Sequence, residues 1–202
     1  MPNKFQNKYR IPSARLKNWD YGSNGAYFIT ICTKDRKHYF GEVIQGTVEL
    51  SAIGILAQEF WNQIPEHFPF VELGNFVVMP NHIHGILIVD ETLQCGIFKE
   101  TLQCNVCTGQ CNVCTGTGEC NVCTDNNRNE KMASISPKAG SISTIIRSFK
   151  SVVTKHSRFI NKEFEWHPRF HDHIIRNSVS LERIQNYIAA NPENWAGDRF
   201  YM

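Results

Sequence analysis

Short apolar runs bounded by turn signals alternate along this chain with three helix-like stretches. Ala26 to Thr33 (AYFITICT) is β-branched and aromatic and follows a Gly-rich turn at Gly22 to Gly25, which predicts a buried strand. After the charged loop Lys34 to His38, Tyr39 to Leu50 reads as a small hairpin turning at Gln45-Gly46. Ser51 is placed to cap a helix reaching Ile64, with Ile53, Leu56, Ala57, Phe60 and Ile64 on one face and Pro65 as its stop. Asn75 to Met79 predicts a second strand. Pro80-Asn81 turns the chain into a third, His82 to Val89, antiparallel to it. Ser141 to Asn161 is amphipathic, its apolar side formed by Ile142, Ile145, Ile146, Phe149, Val152 and Val153. Phe164 to Ile175 holds an extended piece with His167, His171 and His173. Ser180 caps a last helix, Leu181 to Ala190, which Pro192 ends. This order predicts an α+β, ferredoxin-like sandwich: an antiparallel sheet with helices packed on one face.

Composition adds limits. The chain has 202 residues, enough for one domain with a sizeable core, and 42% of them are hydrophobic. No apolar run approaches the roughly 20 residues of a membrane helix. The basic start lacks the apolar stretch of a secretory signal, so a cytoplasmic location is expected. Net charge is only +2, but Glu91 to Lys131 holds five acidic and three basic residues, leaving 18 basic and 14 acidic elsewhere. That modest excess suits a nucleic-acid partner. Residues 1–25 read as a basic arm and 26–200 as the folded domain.

Residues 91–136 interrupt that domain. Seven of the eight cysteines lie between Cys95 and Cys123, TLQC occurs twice, and CNVCT occurs three times, at Cys104–Thr108, Cys111–Thr115 and Cys120–Thr124. No apolar period runs through these repeats, so they are expected to form a disordered insertion rather than part of the core. Paired CxxC motifs can bind zinc, but only three residues separate Cys107 from Cys111 and five separate Cys114 from Cys120, which suits a zinc ribbon poorly.

The candidate chemistry starts at His82-Ile83-His84. Side chains alternate along a strand, so both imidazoles share one face and Ile83 takes the other. Two neutral imidazoles side by side can hold one divalent ion. A bare HxH is more often a pair of surface histidines, but here it lies where two apolar strands meet, a costly place for unpartnered rings. Tyr187 lies on the last helix at the edge of the stripe Leu181, Ile184 and Ile188. Most such tyrosines simply pack, but this position leaves room for a free hydroxyl. Asn191, four residues later, shares its face. The stretch Trp166 to Asn177 mixes aromatic, basic and imidazole groups suited to bases and phosphates, and His171 and His173 form a rival HxH.

AYFITICT, FVVMPNHIHGILIV, SISTIIRSFKSVVTK, WHPRFHDHIIRN and YIAANP, in that order, resemble the REP-associated tyrosine transposases, within the single-tyrosine HUH group. The resemblance runs from about Ala26 to Trp195, without the insertion. It implies the sandwich already reached, His82 and His84 as the HUH metal pair, Tyr187 as nucleophile and Asn191 as a third ligand, and it weakens the claim of His171 and His173. It further implies Mg²⁺ or Mn²⁺, and cleavage of single-stranded, hairpin-bearing DNA through a 5′-phosphotyrosine with release of a 3′-hydroxyl. The enzyme would be a bacterial, nucleoid-associated monomer or homodimer. On residue type and position, Arg147, Lys150, Arg169 and Arg176 are candidate phosphate contacts and Trp166 a stacking platform. Two other readings are a catalytically inactive, domesticated hairpin-DNA-binding protein, and a zinc or redox module carried by the cysteine repeat.

Overall fold

The computed structural model describes residues 23–90 and 140–201. The cysteine-rich insertion and most of the basic arm lie outside them. Four strands, β1 (Gly25–Cys32), β4 (Val71–Met79), β5 (His82–Val89) and β6 (His171–Ile175), form one sheet in the order β4-β5-β1-β6. Every neighbouring pair is antiparallel. Two helices cross between parallel, non-adjacent strands: α1 (Ala52–Asn62) leads from β1 towards β4, and α3 (Ile142–Ile160) leads from β5 to β6. This is the predicted ferredoxin-like α+β sandwich.

The helices form much where the pattern places them, with informative differences at their ends. Ser51 does cap α1, accepting from Gly54 N–H at 3.1 Å. Pro65 does not stop that helix. The break falls at Gln63, and Pro65 sits in the first turn of a short helix α2 (Ile64–His67), where a missing N–H costs nothing. The last helix, α4 (Ser178–Ala190), starts earlier than Ser180 because Asn177 takes the cap, its Oδ1 accepting from Ser180 N–H at 2.8 Å. The hairpin is present as β2 (Gly41–Ile44) and β3 (Thr47–Leu50). Gln45 and Gly46 turn it with φ of 50° and 76°, the left-handed pair that a two-residue hairpin needs.

Alternation divides the sheet into two faces. Tyr27, Ile29 and Ile31 of β1, Ile83 and Leu87 of β5, and Ile174 of β6 join Ala57 and Trp61 of α1 and Ile145, Ile146, Phe149 and Val153 of α3 in the main core. The opposite face is covered in part by α4, whose Ile184 and Ile188 pack on Phe28, Ile86 and Ile175. A third small cluster, Met79, Trp195 and Phe200, closes the end of that face through the chain after α4. No helix among the described residues is long and apolar enough to cross a membrane.

Gly85 shows how tightly the main core is built against β5. A methyl group there would run into the Trp61 indole and lie 3.1 Å from Phe76 Cβ. Overpacking of this kind costs about 1–3 kcal/mol. Gly85→Ala is therefore expected to lower stability by that amount in urea denaturation at unchanged slope.

Candidate active site

The site lies on the face opposite α1 and α3, where β5 begins. Met79 pairs with His82 across the two-residue turn Pro80-Asn81, so the turn itself delivers the first histidine. Both His82 and His84 are fully buried, and their ring centroids are 4.4 Å apart. The expected common face is thus present, and a hydrogen-bonding neighbour holds each ring further: Thr30 on the adjacent strand for His84, and Asn81 of the turn for His82. Thr30 lies opposite His84 in the β1–β5 register, with Oγ1 2.9 Å from His84 Nδ1. His82 Nδ1 lies 2.8 Å from Asn81 Oδ1.

Asn81 fixes the tautomer of His82. Its Nδ2 donates to the carbonyls of Phe200, at 2.9 Å, and Arg36, at 3.2 Å, so its Oδ1 faces His82 as an acceptor. His82 Nδ1 must then carry the proton, and Nε2 keeps its lone pair. Thr30 Oγ1 occupies Nδ1 of His84, which leaves Nε2 of that ring facing Tyr187. Burial, followed by the nearby charges of Arg199 and Arg36, pushes the His82 pKa down to about 3. Burial and the neighbouring His82 hold His84 well below the usual histidine range. Both rings are therefore neutral at pH 7, the form that ligates metal.

Helix α4 brings Tyr187 to the pair. Its hydroxyl lies 3.2 Å from His84 Nε2 and 3.4 Å from Asp198 Oδ2. Tyr187 is 40% exposed, so one side stays open to solvent as its position at the edge of the apolar stripe predicts. Burial, then the Asp198 carboxylate, raises its pKa above the ordinary tyrosine value. Asn191 closes α4 as its C-cap and is buried, with Nδ2 donating to Asp198 Oδ2 at 3.0 Å. The four residues singled out on sequence, His82, His84, Tyr187 and Asn191, are thus linked through one carboxylate and two imidazoles.

That carboxylate gave no signal in the sequence. Asp198 follows a single helical turn, Trp195–Gly197, with no periodicity around it, and its Oδ1 accepts from Phe200 N–H at 2.7 Å. Ligand atoms of His82, His84 and Asp198 lie within 4.8 Å of one another. Two buried polar atoms at the site, His82 Nε2 and Asn191 Oδ1, have no hydrogen-bond partner. A lone pair left so is costly, and a cation between these donors would satisfy both, so the residue set fits a divalent ion.

The other singled-out residues stand outside this cluster, although His171 shares its face of the sheet: Thr30 pairs with His84 on one side and with His171 on the other, and the His171 charge reaches His84. His171 and His173 are exposed on the edge strand β6. Arg169 and Arg176 flank that strand and are exposed, and Arg147 is exposed on α3, whose packing side faces the main core. Trp166 packs on Phe40, Phe149 and Phe164, and its indole N–H donates to the Lys150 carbonyl at 3.2 Å. Lys150 lies over that indole and donates to the His167 carbonyl at 2.6 Å. Burial lowers its pKa to about 8. Both residues are engaged in the fold.

No family model matches the chain. A Haemophilus influenzae protein of uncharacterised function is 33% identical over 194 residues, covering 94% of this chain and 92% of its own length. The two chains belong to one family. In structure, this chain resembles a REP-associated tyrosine transposase bound to a REP hairpin, with a TM-score of 0.54 at 16% identity over 94% of this chain and 77% of that one. The fold of the family is thus that of the transposases whose motifs the sequence resembles.

Neutral His82 makes a pH signature. Its folded pKa is below the unfolded one, so the unfolded chain binds more protons between about pH 6.5 and pH 3. Stability is therefore complete above pH 6.5 and is lost as pH falls through that window. In EDTA, lowering pH from 7 to 5 should remove about 2 kcal/mol through this ring, at 1.36 kcal/mol per pH unit. His82→Gln should flatten that part of the profile in denaturant titrations; an unchanged profile would place the acid sensitivity elsewhere.

Proposed function

We propose that this protein is a DNA transposase that cleaves and rejoins single-stranded, hairpin-bearing DNA, with Tyr187 as nucleophile. The observation that carries the reading is the Tyr187 hydroxyl lying 3.2 Å from His84 Nε2, beside a second neutral imidazole. The fold shared with a transposase bound to a REP hairpin supports the substrate class. His82 and His84 supply two nitrogen donors for Mg²⁺ or Mn²⁺, and Asn191 Oδ1 and the Asp198 carboxylate supply oxygen donors. Bound there, such an ion would act as a Lewis acid on a phosphate oxygen and a template for in-line attack.

The protein's own groups account for the rest. Tyr187 is half open, so a phosphodiester can approach its hydroxyl from solvent. Its proton lies between two acceptors, His84 Nε2 and Asp198 Oδ2. Attack of the phenolic oxygen on phosphorus forms the Tyr–O–P bond and breaks the bond to the 3′ oxygen, which takes up the displaced proton. The products are a 5′-phosphotyrosine and a 3′-hydroxyl. Because one ester replaces another, a second 3′-hydroxyl can reverse the step and join a new strand without ATP. Asn191, donating to Asp198, keeps that carboxylate turned towards the tyrosine.

The test is incubation of purified protein with a pool of hairpin oligonucleotides carrying single-stranded flanks and Mn²⁺. A protein–DNA adduct that survives denaturing electrophoresis is expected from the wild type. Tyr187→Phe should lose it while binding stays within a few-fold, and robust adduct from that variant removes the nucleophile assignment. His84→Ala should abolish metal-dependent cleavage, and calorimetry should show weaker Mn²⁺ binding. A cleaving His84→Ala variant sinks the metal pair.

A further inference from the structure

One wall of the site has no part in that reading. The Phe200 ring lies 4.5 Å from the His82 ring and 5.7 Å from His84, centroid to centroid. Two guanidinium groups from opposite ends of the described chain meet on it. Arg36 Cζ is 5.2 Å and Arg199 Cζ 4.7 Å from its centroid. Arg36 Nη1 also donates to the Arg199 carbonyl at 2.7 Å.

Arg36 is held there at a backbone cost. It and Asp35 both adopt φ of 52°, a left-handed conformation that side chains other than glycine take up at about 1–3 kcal/mol. Asn81, the amide that orients His82, donates to the Arg36 carbonyl as well. The same side chain thus sets a metal-competent imidazole and a strained arginine. Among the described residues neither guanidinium forms an ion pair; the pairs present are Lys34–Glu165 and Lys37–Glu163. The carboxylates next to them in sequence are Asp35 and Asp198; neither forms an ion pair with a guanidinium, and Asp198 is occupied by Phe200 N–H, Tyr187 and Asn191. Both positive charges reach His82, and that of Arg199 also reaches His84 and Tyr187. Two like charges gathered beside this pair of imidazoles, with no ion pair to a carboxylate among the described residues, favour the approach of an anion.

We propose that Arg36 and Arg199 form a two-guanidinium clamp for a backbone phosphate of the single strand entering on the His82 side of the site. The inference rests on the proposed DNA-cleaving function. The fork geometry of guanidinium matches a phosphodiester in two-point contact, and Phe200 gathers both groups around one ring. The clamp anchors the strand so that the next phosphate lies towards Tyr187. It is a contact with the backbone and carries no sequence preference.

The experiment uses the full chain and fluorescein-labelled dT20, titrated in EDTA over a range of KCl, with adduct formation on the hairpin pool and Mn²⁺ measured alongside. Arg36→Gln/Arg199→Gln should weaken dT20 binding about tenfold or more, and the slope of log affinity against log salt should fall by about one unit. Adduct formation should fall with it. Arg36→Lys/Arg199→Lys should keep most of the slope and still lose adduct. Arg199→Gln alone, at an exposed position, keeps the question answerable if the double change unfolds the protein, as thermal melting would show. Wild-type slope and affinity in folded Arg199→Gln overturn the clamp, as does a wild type that does not bind dT20. A wild type that binds with the expected slope but never forms adduct removes the tyrosine chemistry and leaves the clamp standing.

Discussion

The Asn81 side chain holds two pieces of backbone and one imidazole in a fixed relation. Its amide gives two hydrogen bonds, to the Arg36 loop and to the C-terminal Phe200, and takes one from His82. It is fully buried, so each of these bonds forms without competition from water. Its own carbonyl accepts from Thr33 N–H and Thr33 Oγ1, which ties the turn to the end of β1. Removing this one amide would leave several groups unsatisfied at once, each at about 1–3 kcal/mol. The position of His82, the Arg36 conformation and the seat of the terminal segment all follow from it.

A strand alone could orient two imidazoles but not choose their tautomers. At His82 that choice comes from Asn81, whose amide oxygen can only accept, and at both rings a neighbour occupies Nδ1 and leaves Nε2 towards the site. Burial then keeps the rings neutral. The tyrosine arrives from the other direction, on a helix with its own small apolar seat on Phe28, Ile86 and Ile175. The histidines are therefore set by the sheet, the tyrosine by α4, and Asp198 is the carboxylate that meets Tyr187 and Asn191.

Much of this was legible in the chain because periodicity speaks for it. Alternation put His82 and His84 on one face, and the four-residue spacing put Tyr187 and Asn191 on one side of a helix; both relations are present. Asp198 was not legible, because it lies in a short segment after the last helix where no period relates it to anything. Arg199 and Phe200 escaped for the same reason. Thr30 was hidden differently: its role follows from the β1–β5 register, a long-range pairing that a local pattern does not reveal. Trp166 is tied into the fold in a way its residue type does not announce. Its residue type suits stacking on a base, but three aromatic neighbours and a backbone carbonyl already engage it. The cap at Asn177 was passed over because Ser180, three residues on, is an equally good capping type.

Along β5 the two roles of the strand are interleaved one residue at a time. Ile83, Gly85 and Leu87 meet the helices, while His82 and His84 face the candidate site. The sheet acts as an insulating partition only one backbone thick. Changes confined to the helix side can adjust how firmly the protein stands without entering the candidate site, so the two faces are free to drift independently over evolutionary time. The partition tolerates no sliding, however. Slipping β5 by a single position would bury both imidazoles against Trp61 and turn an isoleucine into the candidate site, exchanging the two roles everywhere at once.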